Sequence, residues 1–223
     1  MVIYLHGFAS SPHSGKAKYL GERLQQQGIQ FLAPDLNLPD FSTLTVTRMV
    51  EQTGALIEKA EPTFANATAG RPAVTLIGSS LGAFVAVNAA VKWPDRIGRL
   101  ILMAPALDFG DEGLKGPGGA DIAAWKAAGQ LMVFHFAYGR MTPVHYELYE
   151  DARRYDAIGA DLKMPILVFQ GRRDTAVDPA TVETWSRRRP NVELHLLDDD
   201  HQLTASLSYI WAELAAFLHF EIL

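Results

Sequence analysis

The chain predicts a single α/β domain built on a mostly parallel central sheet of about six strands flanked by helices. Three observations carry this reading. Short apolar runs alternate along the chain with longer stretches of helical character. The runs are continuous in Val, Ile, Leu and Phe, as strands buried on both faces of a parallel sheet are. The segments between them are long enough to be crossover helices, which join parallel strands in a right-handed sense. A length of 223 residues suits one domain, 1–223, with a sizeable core, and is short for two.

Val2–Leu5 is the first predicted strand. Lys16–Gln27 follows as a helix, stopped by Gly28 at its C-terminal end. Ile29–Ala33 is the second strand, and Leu44–Lys59 the second helix, with Ser42-Thr43 as its cap. Val74–Ile77 and Leu81–Val91 form the next strand and helix, and Trp93-Pro94 ends that helix. Leu100–Met103, Ile166–Phe169 and Val192–Leu197 complete the strands. Pro179–Arg188 opens with Pro at the first helical position and Asp178 as N-cap. Thr204–Phe220 is the last helix, with Leu207, Ile210, Leu214, Phe217 and Leu218 close to helical spacing.

Leu107–Ala160 breaks this rhythm and is too long for an ordinary loop. It reads as a cap or lid inserted over the strand ends. Its Gly-rich start, Gly110–Gly119, disfavours regular structure. Asp121–Ala128 reads as a helix. Leu131–Phe136 and Met141–Tyr146 form either a β-hairpin or an irregular helical cap. The aromatics Trp125, Phe134, Phe136, Tyr138, Tyr146 and Tyr149 either line an acyl pocket or pack the cap onto the sheet.

Composition narrows the partners. The net charge of −5 does not favour nucleic acid or an anionic membrane. The one compact basic run, Arg187-Arg188-Arg189, sits at a predicted helix end, where it complements the dipole. There is no cysteine, which excludes disulfides, thiolate metal sites and cysteine nucleophiles. Met-Val-Ile-Tyr-Leu reads as a strand rather than a signal peptide, and no apolar run approaches the roughly 18 residues of a membrane span. A cytoplasmic protein is the expectation. No element carries metal-ligand spacing, and there is no dinucleotide or Walker fingerprint, so neither metal nor cofactor is expected.

The chemistry concentrates in three places. Gly78-Ser79-Ser80-Leu81-Gly82 lies between a predicted strand and a predicted helix. That is the setting of a nucleophile elbow, in which Ser80 occupies a strained turn and the small residues Gly78 and Gly82 let the backbone crowd together. An activated serine needs a base. Of seven histidines, His201 follows the last strand, in the loop before the final helix, where it overhangs the nucleophile. The acid belongs after the preceding strand. Asp174 fits best there; Asp178 is the rival, already accounted for as an N-cap. The order Ser, Asp, His is that of α/β-hydrolases. Asp198, Asp199 and Asp200 read as solvated turn residues. Two backbone N–H groups, of Phe8 and Leu81, would form an oxyanion hole. Gly7 allows close approach of the backbone, and His6 braces that loop. Asp35 is either a turn former or a residue at the pocket edge.

Leu5-His6-Gly7-Phe8 with Ser10-Ser11-Pro12 and Lys16-Ala17, then Gly78–Gly82, then Asp199-Asp200-His201, resemble the small bacterial esterases of the YqiA/YcfP type in the α/β-hydrolase superfamily. The resemblance runs from Tyr4 to Phe217. It implies the α/β-hydrolase fold, hydrolysis of carboxylic esters or thioesters of short to medium acyl chains, a cytoplasmic setting, no cofactor, and Ser80, Asp174 and His201 as the triad. The same fold and triad also serve acyltransferases, lyases and perhydrolases, and a non-catalytic binding protein could retain them. The acyl chain, the ester or thioester preference and the oligomeric state are not set by these residues.

Overall fold

The structure is a computed structural model and describes residues 1–60, 74–111, 116 and 119–219. Its strands are β1 (Val2–Leu5), β2 (Phe31–Leu32), β3 (Val74–Ser79), β4 (Ile97–Met103), β5 (Gln130–His135), β6 (Arg140–His145), β7 (Ile166–Gly171) and β8 (Val192–Leu197). Six of them form one sheet in the order β2-β1-β3-β4-β7-β8, with every neighbouring pair parallel. β5 and β6 form a separate antiparallel pair. The helices are α1 (Gly15–Gln26), α2 (Val46–Lys59), α3 (Leu81–Lys92), α4 (Ile122–Ala128), α5 (Glu147–Ala152), α6 (Pro179–Arg187) and α7 (Leu207–Leu218).

The continuous apolar runs are explained by two cores, one on each face of the sheet. Ile3 and Leu5, Leu100 and Leu102, Ile166 and Val168 join the core that α2, α3 and α6 cover. Val2 and Tyr4, Ile101 and Met103, Leu167 and Phe169 point the other way, into the core that α1 and α7 cover. Alternate side chains of these residues thus reach opposite apolar layers, which is why the runs show no polar alternation. α3 is buried along nearly its whole length, from Leu81 to Ala90, which is why its sequence shows no polar face.

Local chemistry sets the ends of these elements. Gly28 takes a left-handed φ of 71°, and the amides of Gly28 and Ile29 donate to the carbonyls of Gln25 and Leu24, closing α1 in a Schellman arrangement. Asp178 accepts from Ala180 N–H and caps α6. The cap of α2 is Thr45, whose hydroxyl accepts from Arg48 N–H, and not Ser42-Thr43. Those two residues lie in a 3-10 turn, Phe41–Thr43, capped by Asp40, and extended Leu44 separates it from α2. α7 begins at Leu207, later than the expected Thr204.

Within 107–160, the hairpin is the alternative that forms, with β5 and β6 flanked by α4 and α5. Residues 112–115, 117 and 118 of the Gly-rich stretch lie outside the described residues, as does Phe220. The aromatics divide between two environments. Trp125 is buried and packs edge-on to Tyr146, with Tyr149 beside both rings. Phe134, Phe136 and Tyr138 stand exposed on the hairpin and its tip, together with Met132 and Met141. The basic run does more than complement a dipole: the Arg189 guanidinium donates to the Trp185, Ile158 and Ala160 carbonyls and lies over the Trp185 ring.

Candidate active site

β3 runs straight into α3, and Ser80 is the turn between them, with φ 54° and ψ −120°. That left-handed conformation is costly for a residue with a side chain and is held here by its surroundings. A Cβ on Gly78 would lie 2.4 Å from Ala83 Cα, and one on Gly82 would lie 2.1 Å from the Leu5 carbonyl oxygen. These are backbone atoms that cannot yield, so both positions demand glycine. The tight contact brings the end of β1, with Gly7 and Phe8, against the elbow: a Cβ on Gly7 would sit 3.2 Å from Ser80 Cβ.

Ser80 Oγ is 3.1 Å from His201 Nε2, and His201 Nδ1 is 2.8 Å from Asp174 Oδ2. The Asp174 carboxylate is buried and accepts four hydrogen bonds. Oδ1 takes the Ala176 and Val177 amides at 2.8 and 2.9 Å; Oδ2 takes Gln170 Nε2 at 3.0 Å as well as the imidazole. Burial by itself would raise this carboxyl, but the bonds from His201, Val177 and Gln170 outweigh it and hold Asp174 below the usual carboxylate range. An ionised carboxylate only accepts, so the Nδ1 proton belongs to His201. In the neutral imidazole Nε2 is then the acceptor for the Ser80 hydroxyl. Among the described residues, the Asp178 side chain, four residues on, makes only its cap bonds.

The early loop is braced by His6. Its Nδ1 is 2.9 Å from the Gly7 carbonyl and its Nε2 accepts from Leu36 N–H at 3.0 Å. Because Nε2 accepts, the proton is on Nδ1 and the ring is neutral. Its 3.5 Å approach to Asp35 is therefore not an ion pair. Burial, which lowers the His6 pKa, favours the same form. Asp35 accepts from Asn37 N–H as a turn former, and Asn37 in turn donates to the Ser10 carbonyl. Leu81 follows Ser80 in the chain, and Phe8 follows Gly7, which packs against Ser80. Leu81 is the first residue of α3, where an N–H has no partner within the helix, and neither amide donates to another described residue.

Several residues at the site carry no local signal in sequence. Gln170 is fully buried beside Asp174. Asp199, expected to be solvated, is buried; its oxygens accept from the Asp200 and Ser206 amides and so pin both ends of the His201 loop. Gly171 lies so close to that loop that a Cβ would meet the Asp199 and Asp200 carbonyl oxygens at 2.5 Å. Arg173 binds Asp198 from the other side. The Lys16 ammonium is lowered to about 8, chiefly by burial, against the pull of Asp174, Asp200 and Asp199.

One group among the described residues has metal-ligand chemistry: Glu193, His195 and Glu213, with ligand atoms within 4.8 Å of one another. It spans β8 and α7, which is why no single element shows the spacing. Both ring nitrogens of His195 are engaged, Nε2 with Glu193 and Nδ1 with Tyr209. No described helix is long and apolar enough to cross a membrane.

A model of the uncharacterised protein family UPF0227 matches residues 1–219. Among solved structures, the chain is similar to the ferulic acid complex of Est1E from Butyrivibrio proteoclasticus, at 18% identity and a TM-score of 0.80, covering 97% of this chain and 87% of that one. It is similar to alpha/beta hydrolase domain-containing protein 10 from mouse, at 18% identity and a TM-score of 0.74, covering 97% and 88%. A monoacylglycerol lipase from Paleococcus ferrophilus matches at 18% identity and a TM-score of 0.74, covering 97% and 93%. At these identities the likeness concerns the fold, which is that of the α/β hydrolases.

Proposed function

The chain belongs to the uncharacterised protein family UPF0227, and from the site geometry we propose that it is a serine hydrolase cleaving carboxylic ester or thioester bonds through an acyl-enzyme on Ser80. The observation that carries the proposal is the unbroken line of hydrogen bonds from Ser80 Oγ through His201 to Asp174, at 3.1 and 2.8 Å.

In this reading His201 Nε2 takes the Ser80 proton as Oγ attacks the acyl carbonyl carbon. The carbonyl oxygen becomes an oxyanion and accepts from the Phe8 and Leu81 amides. Asp174 holds the imidazole in the productive tautomer and stabilises its charged form without taking the proton. The tetrahedral intermediate collapses, and His201 protonates the departing alkoxide or thiolate. Water, activated by the same base, releases the acid and restores Ser80. Every step uses the chain's own groups and water. The substrate is a small acyl ester or thioester, with 107–160 as a cap over the site. The tip of the hairpin supports that placement, since Phe136 N–H donates to the Ala9 carbonyl, one residue beyond Phe8. An esterase and a lipase among the structural neighbours fit an ester substrate.

The test is hydrolysis of p-nitrophenyl esters from acetate to palmitate by the wild-type protein and by Ser80→Ala. Turnover is expected to fall by about 10^4-fold to 10^6-fold in the variant with its fold intact. Equal turnover in both proteins would sink the assignment, and the preferred chain length reports the room beneath the hairpin.

A further inference from the structure

Gln170 is the penultimate residue of β7, a strand whose other side chains, Ile166 to Phe169, are all apolar and buried. Its amide is fully buried too. Nε2 donates to Asp174 Oδ2 at 3.0 Å and to the Gly171 carbonyl at 3.1 Å. Oε1 is buried with no hydrogen-bond partner among the described residues. Turning the amide over would not relieve this, because it would set Oε1 against two acceptors, Gly171 O and Asp174 Oδ2. The amide is therefore fixed in one orientation, and its orphaned carbonyl is a cost that an apolar residue at this position would avoid. Strand packing does not explain such a residue. Its contact with Asp174 does.

We propose that Gln170 is a positioning residue that sets the basicity of His201 through Asp174. This rests on the reading of Ser80, His201 and Asp174 as a triad. Gln170 Nε2 and His201 Nδ1 donate to the same oxygen, Oδ2, while the Ala176 and Val177 amides occupy Oδ1. With two donors on each oxygen, the carboxylate cannot rotate. A second donor on Oδ2 also withdraws charge from the oxygen that stabilises the imidazolium. Gln170 thereby weakens the hold of Oδ2 on the imidazolium, which a triad with a single donor on Oδ2 would grip more strongly. The other charge drawn toward Asp174 is Lys16 on α1, with Asp199 and Asp200 beyond it, and these are common to wild type and variant.

Gln170→Met tests this, since Met retains the length and apolar stem and removes both the donor and the orphaned carbonyl. The readout is the titration of the His201 ring nitrogens by NMR of histidine-labelled protein, assigned with His201→Asn. The midpoint is expected to rise by about half to one unit on losing one hydrogen bond at Oδ2. The acid limb of kcat/KM for a soluble ester should move up with it, while KM stays unchanged. An unchanged His201 midpoint in a folded variant overturns the proposal. Should Gln170→Met fold poorly, Gln170→Leu removes the same donor and must show the same shift. The NMR midpoint needs no turnover, so a raised midpoint in a protein that hydrolyses no ester would uphold the role of Gln170 and bring down the hydrolase reading instead.

Discussion

At the scale of single residues, the two acids near the end of β7 separate by what their oxygens accept. Asp174 receives the imidazole and three other donors, whereas Asp178 receives only the amide and hydroxyl at the start of α6. In Asp174→Asn the oxygen stays with the Ala176 and Val177 amides, which places the new NH2 against His201 Nδ1 and Gln170 Nε2. His201 must then move its proton to Nε2 and can no longer accept from Ser80. Activity is expected to drop by about 10^4-fold, read as kcat on the best p-nitrophenyl ester. Asp178→Ala should leave kcat unchanged and lower stability by about 1 kcal/mol, read in urea unfolding. The reverse pattern would exchange the two roles. The candidates Ser80, His201 and Asp174 could be read because each sits in the segment that follows a predicted strand along the chain, Ser80 in a turn of small residues. Gln170 and Asp199 were not. Their roles arise where two loops distant in sequence meet, and nothing next to them in the chain marks a buried amide or a buried carboxylate.

At the scale of elements, the site depends on how closely the ends of β7 and β8 can approach. The Arg172 and Arg173 amides donate to the Leu197 and Asp199 carbonyls, and Gly171 leaves the gap through which the His201 loop passes. Gly171→Ala inserts a methyl 2.5 Å from two backbone oxygens, so the loop must shift. A displacement of about 1 Å at the base costs on the order of 10^2-fold in rate. The variant is therefore expected to keep the far-UV spectrum of the fold and lose about that factor in kcat; full activity would show that the loop has slack. Element boundaries were readable where one residue decides them, as at Gly28, Pro179 and Trp93-Pro94. They were misread at Ser42-Thr43, because Thr45 offers the same hydroxyl and only the extended backbone of Leu44 distinguishes the two. The hairpin was one of two readings, since short apolar runs such as Leu131–Phe136 carry no period strong enough to separate strand from helix.

At the scale of the whole molecule, the parallel sheet could be read from its two-sided apolar strands, but not the order β2-β1-β3-β4-β7-β8, since periodicity is the same whichever neighbour a strand has. The same is true of which charges the fold buries. Lys16 is the second residue of α1, in a stretch that reads as an ordinary solvated helix start, yet packing lowers its ammonium from 10.5 to about 8, with burial outweighing the attraction of Asp174, Asp200 and Asp199. The sign of the consequence follows from proton counts. Below about pH 8 the group is charged in both states, and the folded protein bears the cost of an ammonium partly withdrawn from water. Between about 8 and 10.5 the unfolded chain still holds the proton and the folded one does not, so this group makes stability rise with pH across that window. His6 acts at the acid end in the same direction. Its folded pKa lies below the ordinary 6.5, so as pH falls below 6.5 the unfolded state gains a proton first and stability is lost. Lys16→Met removes the alkaline contribution alone. It should raise Tm by a few degrees at pH 7, where the cost is present in full, and the gain should shrink toward zero by pH 10.5 while the acid-side loss near pH 6 persists. A gain equal at both pH values would mean that Met stabilises by packing, and a loss at pH 7 would mean that the three carboxylates hold Lys16 more strongly than burial opposes it.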